Sequence, residues 1–183
     1  MESTRVNYGR ETFDQVNVYG RLTQDMVTEV LCSEEYSLIK DISAGFGYNY
    51  QNLPDQLWEK SNGEKFFLEV KAHTTDSEWN GKSQVGVNQN QYNRYFDLGQ
   101  PVYYAIYLRW MHAFYVFEHS WIKDNYSHST RQNDVHNKIK SNRHNLMYYV
   151  KDLASPQFDV QKYNLEDYRK IIGKKLWKEL LTG

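Results

Sequence analysis

Two extended runs, Gln56–Lys60 and Lys65–Ala72, stand on either side of Ser61-Asn62-Gly63-Glu64. An Asn-Gly pair supplies the positive φ angles that a tight two-strand turn demands, so this segment predicts a β-hairpin. Successive side chains of a strand alternate between its faces. Phe66, Leu68, Val70 and Ala72 therefore share one face, which is wholly apolar and must be core. Phe67, Glu69, Lys71 and His73 share the other. The hairpin also carries Asp55 alongside Glu69, although 14 positions separate them in the chain. Any fold for this chain has to be a sheet built around that hairpin.

The remaining elements follow from spacing. Val18, Leu22, Met26, Val27, Val30 and Leu31 recur at three- and four-residue intervals, which predicts an amphipathic helix from Val18 to about Ser33. Tyr36–Ile42 reads as a strand, and the glycine- and aromatic-bearing stretch after it as a loop. Beyond the hairpin, a polar loop leads into a helix over Asn88–Leu98, closed by Gly99 with Pro101 beyond it. Val102–Arg109 and Ala113–Glu118 are aromatic and β-branched, and predict a second hairpin across Trp110-Met111-His112. Lys123–Asn145 is polar and basic without a periodic pattern. Leu165, Tyr168, Ile172, Leu176 and Leu180 form one stripe of a final helix over Leu165–Leu181. At 183 residues the expectation is a single α/β domain with a mixed central sheet flanked by helices. Its core runs over about 18–118, after an N-terminal arm over 1–17 and before a basic, helical C-terminal extension over 119–183.

Composition narrows the function. The chain has 22 basic and 23 acidic residues, so no whole-body positive field holds a polyanion. Local basic strips remain open. Sixteen tyrosines stand beside 8 Phe and 5 Trp, which suits either an aromatic core or a stacking surface. No run of 18 apolar residues predicts a membrane span, and the first fifteen residues hold no signal-type apolar stretch. Cys32 is the sole cysteine and has no partner for a disulfide or a cysteine-based zinc site. A cytoplasmic location is the expectation.

Two carboxylates converging on one point beside a lysine are what a hard divalent cation needs. Mg²⁺ takes oxygen ligands at about 2.1 Å and keeps several waters, so Asp55, Glu69 and a substrate phosphate suffice. Mn²⁺ is expected to substitute. Lys71, two residues along the same face, is placed to position or help deprotonate an attacking water.

Pro54-Asp55 at the opening of the hairpin and Glu69-Val70-Lys71 at the centre of its second strand resemble the two motifs of the PD-(D/E)XK nuclease superfamily. The resemblance covers roughly residues 18–118. It implies a restriction-endonuclease-like core of one helix, three strands, a helix and a further strand. It also implies that the Val70 carbonyl joins Asp55 and Glu69 as a metal ligand. Members commonly supply another acidic residue from the first helix. At about 100° per residue, Glu29 falls inside the apolar arc of that helix and Asp25 on its edge, so Glu29 is the first candidate and Asp25 the second. Gln91 and Tyr95, four apart on the second helix, are similar to the extra motif of RecB-type members, which helps hold the site and the nucleic acid. Arg94, His73, Lys138, Lys140 and Arg143 are the remaining candidates for phosphate contacts. No Walker-type phosphate loop accompanies them.

The resemblance thus implies a Mg²⁺-dependent endonuclease, with DNA expected ahead of RNA and a homodimer as the working form. Restriction-like, phage and junction-resolving enzymes all fit that size. Two readings compete with it: a non-catalytic or inhibitory binding module on the same fold, and an RNA- or nucleotide-activated nuclease.

Overall fold

A computed structural model describes residues 10–43, 53–73, 84–126, 128–132, 143–149 and 161–182. The hairpin forms where it is expected. Strands β2 (Gln56–Glu59) and β3 (Lys65–His73) pair antiparallel with Gln56 opposite Leu68 and Trp58 opposite Phe66. Gly63 takes φ 84°, and the turn closes through Lys60 N–H to the Glu64 carbonyl at 2.8 Å. The Asn62 side chain accepts from Glu64 N–H at 2.9 Å, so both turn residues act in the way their chemistry predicts.

Around that hairpin the main sheet grows to six strands, in the order β1 (Ser37–Asp41), β2, β3, β5 (Val102–Leu108), β6 (Ala113–Glu118) and β9 (Gln161–Asn164). Strand β1 (Ser37–Asp41) is one edge, and Ile39 is left over there as a bulge between Leu38 and Lys40. The β3–β5 pairing is parallel and every other pairing of this sheet is antiparallel. Strands β5 (Val102–Leu108) and β6 (Ala113–Glu118) form the second expected hairpin, across a 3₁₀ turn that ends on left-handed His112. The mixed α/β fold with flanking helices is therefore as predicted.

Both faces of β3 are covered. Helix α1 (Arg10–Ser33) lays Met26, Val27, Val30 and Leu31 against Phe66, Leu68 and Val70. Trp58 is buried there, and its indole N–H donates to Gln56, whose amide donates to Thr28 of α1 at 2.9 Å. That buried polar chain ties the residue after Asp55 to the helix, and it leaves none of these groups unpaired. On the other face, helix α2 (Gln89–Arg94) and a second sheet, β4-β8-β7, enclose Tyr95, Tyr104, Ile106 and Phe117. The three strands are β4 (Gln84–Asn88), β7 (His128–Gln132) and β8 (Arg143–Tyr149). Among the described residues, no helix is long and apolar enough to cross a membrane.

Several boundaries differ from the expected ones. Helix α1 is described from Arg10 rather than from about Val18, and in the sequence Phe13 and Val16 continue the apolar spacing upstream. Strand β4 takes the place of the end of a polar loop: Val85 and Val87 alternate and are both buried. The C-terminal extension is not simply helical. After α3 (His119–Asn125) it supplies β7 and β8, and then β9 (Gln161–Asn164) on the edge of the main sheet. The last predicted helix is split into a 3₁₀ turn over Leu165–Tyr168 and helix α4 (Lys174–Thr182). The break falls at Ile172-Gly173, where Ile172 turns into the core that α1 covers.

Candidate active site

Strand β3 presents Glu69 toward α2 rather than toward solvent, and the residue is 2% exposed. An ionised carboxylate so deep requires donors. Three side chains supply them. Gln91 donates its amide to Oε1 at 2.9 Å, and the Tyr95 hydroxyl donates to Oε2 at 2.7 Å. The Lys71 ammonium, one-third exposed, pairs with Oε1. Gln91 sits on α2 and Tyr95 is its C-terminal cap, so the i, i+4 spacing read in the sequence puts both donors on one carboxylate.

Asp55 reaches the same place from the start of the hairpin. Its Oδ2 accepts from Val70 N–H at 2.9 Å, and its carbonyl accepts from Ile42 and Ser43 N–H at 2.8 and 3.1 Å. The side chain is thereby locked to the backbone between Glu69 and Lys71.

The electrostatics follow from this crowding. Burial, and then the Glu69 charge, push the Asp55 carboxyl up to about 7, against the opposing pull of Lys71 and of the Val70 N–H. Burial draws the Lys71 ammonium down, but Glu69 and Asp55 together outweigh it and hold Lys71 above the usual lysine range. Lys71 is therefore a resident cation and not a free base. Burial and the Glu69 charge raise the Tyr95 phenol, which keeps its proton as the donor. His73, at the end of β3, is pushed down to about 4 by burial and by Lys71, and is neutral at pH 7.

A site with two carboxylates and one cation is one positive charge short. Asp55 and Glu69, with backbone carbonyl oxygen nearby, are hard donors of the type that Mg²⁺ and Mn²⁺ take. The residues present fit such an ion through two carboxylates rather than three. Among the described residues, no three His, Cys, Asp or Glu side chains gather as a metal-binding group.

The structure does not gather Glu29 with Asp55 and Glu69. The Glu29 Oε2 accepts from Gly173 N–H at 3.2 Å, ahead of α4. Asp25 is held by Arg21 at 3.2 Å, and Arg21 also grips Asp41 at 2.6 Å. These groups line a cavity of about 520 Å³ between α1, β1 and α4, together with Lys175 and Glu179. The apolar arc of α1 does pass beside Glu29, but the margin of that arc is covered by α4, so the carboxylate meets a helix end instead of a cation. Glu29→Gln is expected to lower stability by about 0.5–1 kcal/mol, the usual worth of a helix-end contact, and to leave Mn²⁺ affinity unchanged. Urea unfolding and calorimetry check this, and a large loss of Mn²⁺ affinity would return Glu29 to the Asp55–Glu69 pair.

Of the other candidates, Tyr95 is 2% exposed and grips Glu69, so it is a part of the site and not a surface for bases. Arg94, next to it, is exposed. Lys138 and Lys140 lie outside the described residues. Arg143 opens β8, where its backbone pairs with Gln132. Asp41 is a neighbour that the sequence pattern does not single out: its charge adds to the rise of Asp55. The signal available was its position at the end of β1, which the loop 42–43 folds back onto Asp55. Tyr95→Phe removes a charge-assisted hydrogen bond from a buried carboxylate. It is expected to cost about 1.5–3 kcal/mol of stability, read by urea unfolding at pH 7.

Within the main sheet, helix α1 is followed by three strands and, beyond β4 of the second sheet and helix α2, by the parallel strand β5; with Pro54-Asp55 and Glu69-Val70-Lys71 on its hairpin, this is the core order that the PD-(D/E)XK resemblance implies, with β4 inserted. No protein-family profile and no curated protein sequence matches the chain. Among solved structures, the chain is similar to Hjc, a Holliday junction resolvase from the archaeal hyperthermophile Archaeoglobus fulgidus. The identity is 15% and the TM-score 0.44, over 72% of this chain and 84% of that one.

Proposed function

We propose that the protein is a metal-dependent nuclease that hydrolyses phosphodiester bonds in nucleic acid, with DNA as its substrate and endonucleolytic cleavage as its mode. The observation that carries this reading is the meeting of Asp55, Glu69 and Lys71 at one place on the hairpin, with Asp55 pushed up to about 7 by burial and by the Glu69 charge. In that cleft Asp55, Glu69 and the Val70 carbonyl would hold Mg²⁺ or Mn²⁺. The bound ion supplies Lewis-acid stabilisation of the charge that develops on the phosphate. Lys71 holds its proton, so its part is to orient the attacking water and to face the phosphate oxygens. The water oxygen bonds to phosphorus and releases a proton to solvent as one P–O ester bond breaks, and the departing alkoxide takes up a proton from solvent. Arg94 and the basic segment around Lys138, Lys140 and Arg143 are proposed to hold the backbone, and a homodimer would bring one such cleft to each strand.

Labelled duplex, branched and single-stranded DNA and RNA, incubated with Mg²⁺, Mn²⁺ or EDTA, test the reading. Cleavage of DNA with either metal and none in EDTA is the expected result. RNA cleavage alone would move the substrate class. A protein inert on every nucleic acid with both metals, and tightly bound to a protein partner, would establish the binding module instead.

A further inference from the structure

Helix α2 has six residues, too few to hold itself together in water. Nonetheless it must hold two donors on a buried carboxylate. Its N-terminus is tied by Asn88, whose side chain accepts from Asn90 and Gln91 N–H at 3.0 and 3.2 Å. Its C-terminus is tied by a residue that the proposed chemistry does not use. His119, the first residue of α3, places Nε2 at 2.7 Å from the Tyr92 carbonyl. A carbonyl only accepts, so Nε2 carries the proton.

The ring of His119 is 6% exposed and packed on all sides. Tyr92 stacks on it at 4.3 Å and Phe96 meets it edge-on at 4.3 Å, while Tyr104 and Tyr95 lie at 6.1 and 6.3 Å. Strand β6 feeds directly into α3 and is paired to β5, which is paired to β3. His119 is thus mounted on the sheet that carries Glu69. The Tyr92 carbonyl that it grips is also one of the acceptors for the Tyr95 N–H. One residue before it stands Gln91, and three after it Tyr95, the two donors to Glu69.

We propose that His119 is a positioning residue of the cleft: through the Tyr92 carbonyl it fixes the last turn of α2, and with it the Gln91 and Tyr95 donors on Glu69. The proposal rests on the nuclease reading only for its consequence in catalysis; the clamp itself is independent of that reading. His119→Phe fills the aromatic cage and cannot donate, and His119→Met serves the same purpose should the ring fail to fold. His119→Gln restores an N–H near the Nε2 position.

The first readout is the exchange of the Gln91 side-chain amide protons with water, followed by NMR in the metal-free protein. Losing one buried hydrogen bond is expected to speed it about 5- to 10-fold in His119→Phe, with His119→Gln close to the parent. The second is kcat against KM on cleaved DNA, where the loss is expected in kcat. The third is a double-mutant cycle: adding His119→Phe to Tyr95→Phe should cost less than it does in the parent, because both act on one carboxylate. Unchanged Gln91 exchange in a folded His119→Phe protein would overturn the positioning role, and so would additive effects in the cycle. A parent that neither cleaves nor binds Mn²⁺ would overturn the nuclease reading and leave the exchange measurement to decide the clamp.

Discussion

Lys71→Met is expected to lower metal-dependent cleavage by about 10²–10⁴-fold, the range over which water-positioning and proton-transfer groups act. Methionine keeps most of the length and apolar stem of lysine and removes the ammonium that pairs with Glu69 Oε1. Gln91 and Tyr95 still hold that carboxylate, so the fold and most nucleic-acid binding should survive. Gel-shift and circular-dichroism measurements beside the cleavage assay separate these effects. Cleavage by Lys71→Met equal to that of the parent would remove Lys71 from the mechanism. The variant has a second expected signature. With Lys71 gone, nothing opposes burial and the Glu69 charge at Asp55 as strongly, so the Asp55 carboxyl should move above its present value of about 7.

The second large effect is the dependence of metal binding on pH. A proton and a divalent cation compete for Asp55, whose carboxyl is raised from 3.8 to about 7. Apparent Mn²⁺ affinity, measured by calorimetry, is expected to fall about 10-fold for each pH unit below 7. Without metal, the folded protein keeps a proton on Asp55 that the unfolded chain has already released between pH 3.8 and about 7. The unfolded state then binds fewer protons, so the Asp55 contribution to stability declines as pH rises through that window and is level above it. Added Mn²⁺ should reverse the trend, raising Tm more at pH 8 than at pH 5.5. A metal affinity that is flat from pH 5 to 8 would show that Asp55 is not a ligand.

How far the site is legible in the chain depends on how local its causes are. The β2–β3 hairpin is written in Asn62-Gly63 and in the alternation around Glu69, so Asp55, Glu69 and Lys71 could be brought together from spacing alone. The pairing of Gln91 with Tyr95 is equally local, being one helical turn. Glu29 shows where such arguments stop. A helical wheel orients a side chain relative to the apolar stripe of its own helix, but it does not say which distant element covers the margin of that stripe. Here the answer is Gly173, just ahead of α4 and 144 positions away, whose N–H donates to the carboxylate. Strands β7 and β8 were hidden for a related reason. They belong to a second sheet whose surroundings come from β4 and α3; β7 is too polar to announce a buried face, and β8 opens on Arg143-His144-Asn145 and shows its apolar residues only from Leu146 on. The aromatic count, ambiguous by itself, resolves in part toward the interior: Tyr92, Tyr95, Tyr104, Tyr107, Tyr115 and Tyr163 are all buried.

The covering of the sheet by α1 carries a consequence for how the chain comes to be folded. The face that Met26, Val27 and Val30 occupy also includes Tyr163, Leu165, Ile172 and Leu180. The Tyr19 hydroxyl donates to the Leu180 carbonyl, across 161 positions of sequence. A ribosome delivers α1 well before these partners. Until they emerge the apolar stripe of that helix has an unfinished surface to rest on, and the Tyr19–Leu180 contact closes a loop of 161 positions. Contacts so distant in sequence slow folding, since chain entropy is lost before they form. Strand β9 and helix α4 act, in that sense, as a latch that closes on a helix synthesised long before them.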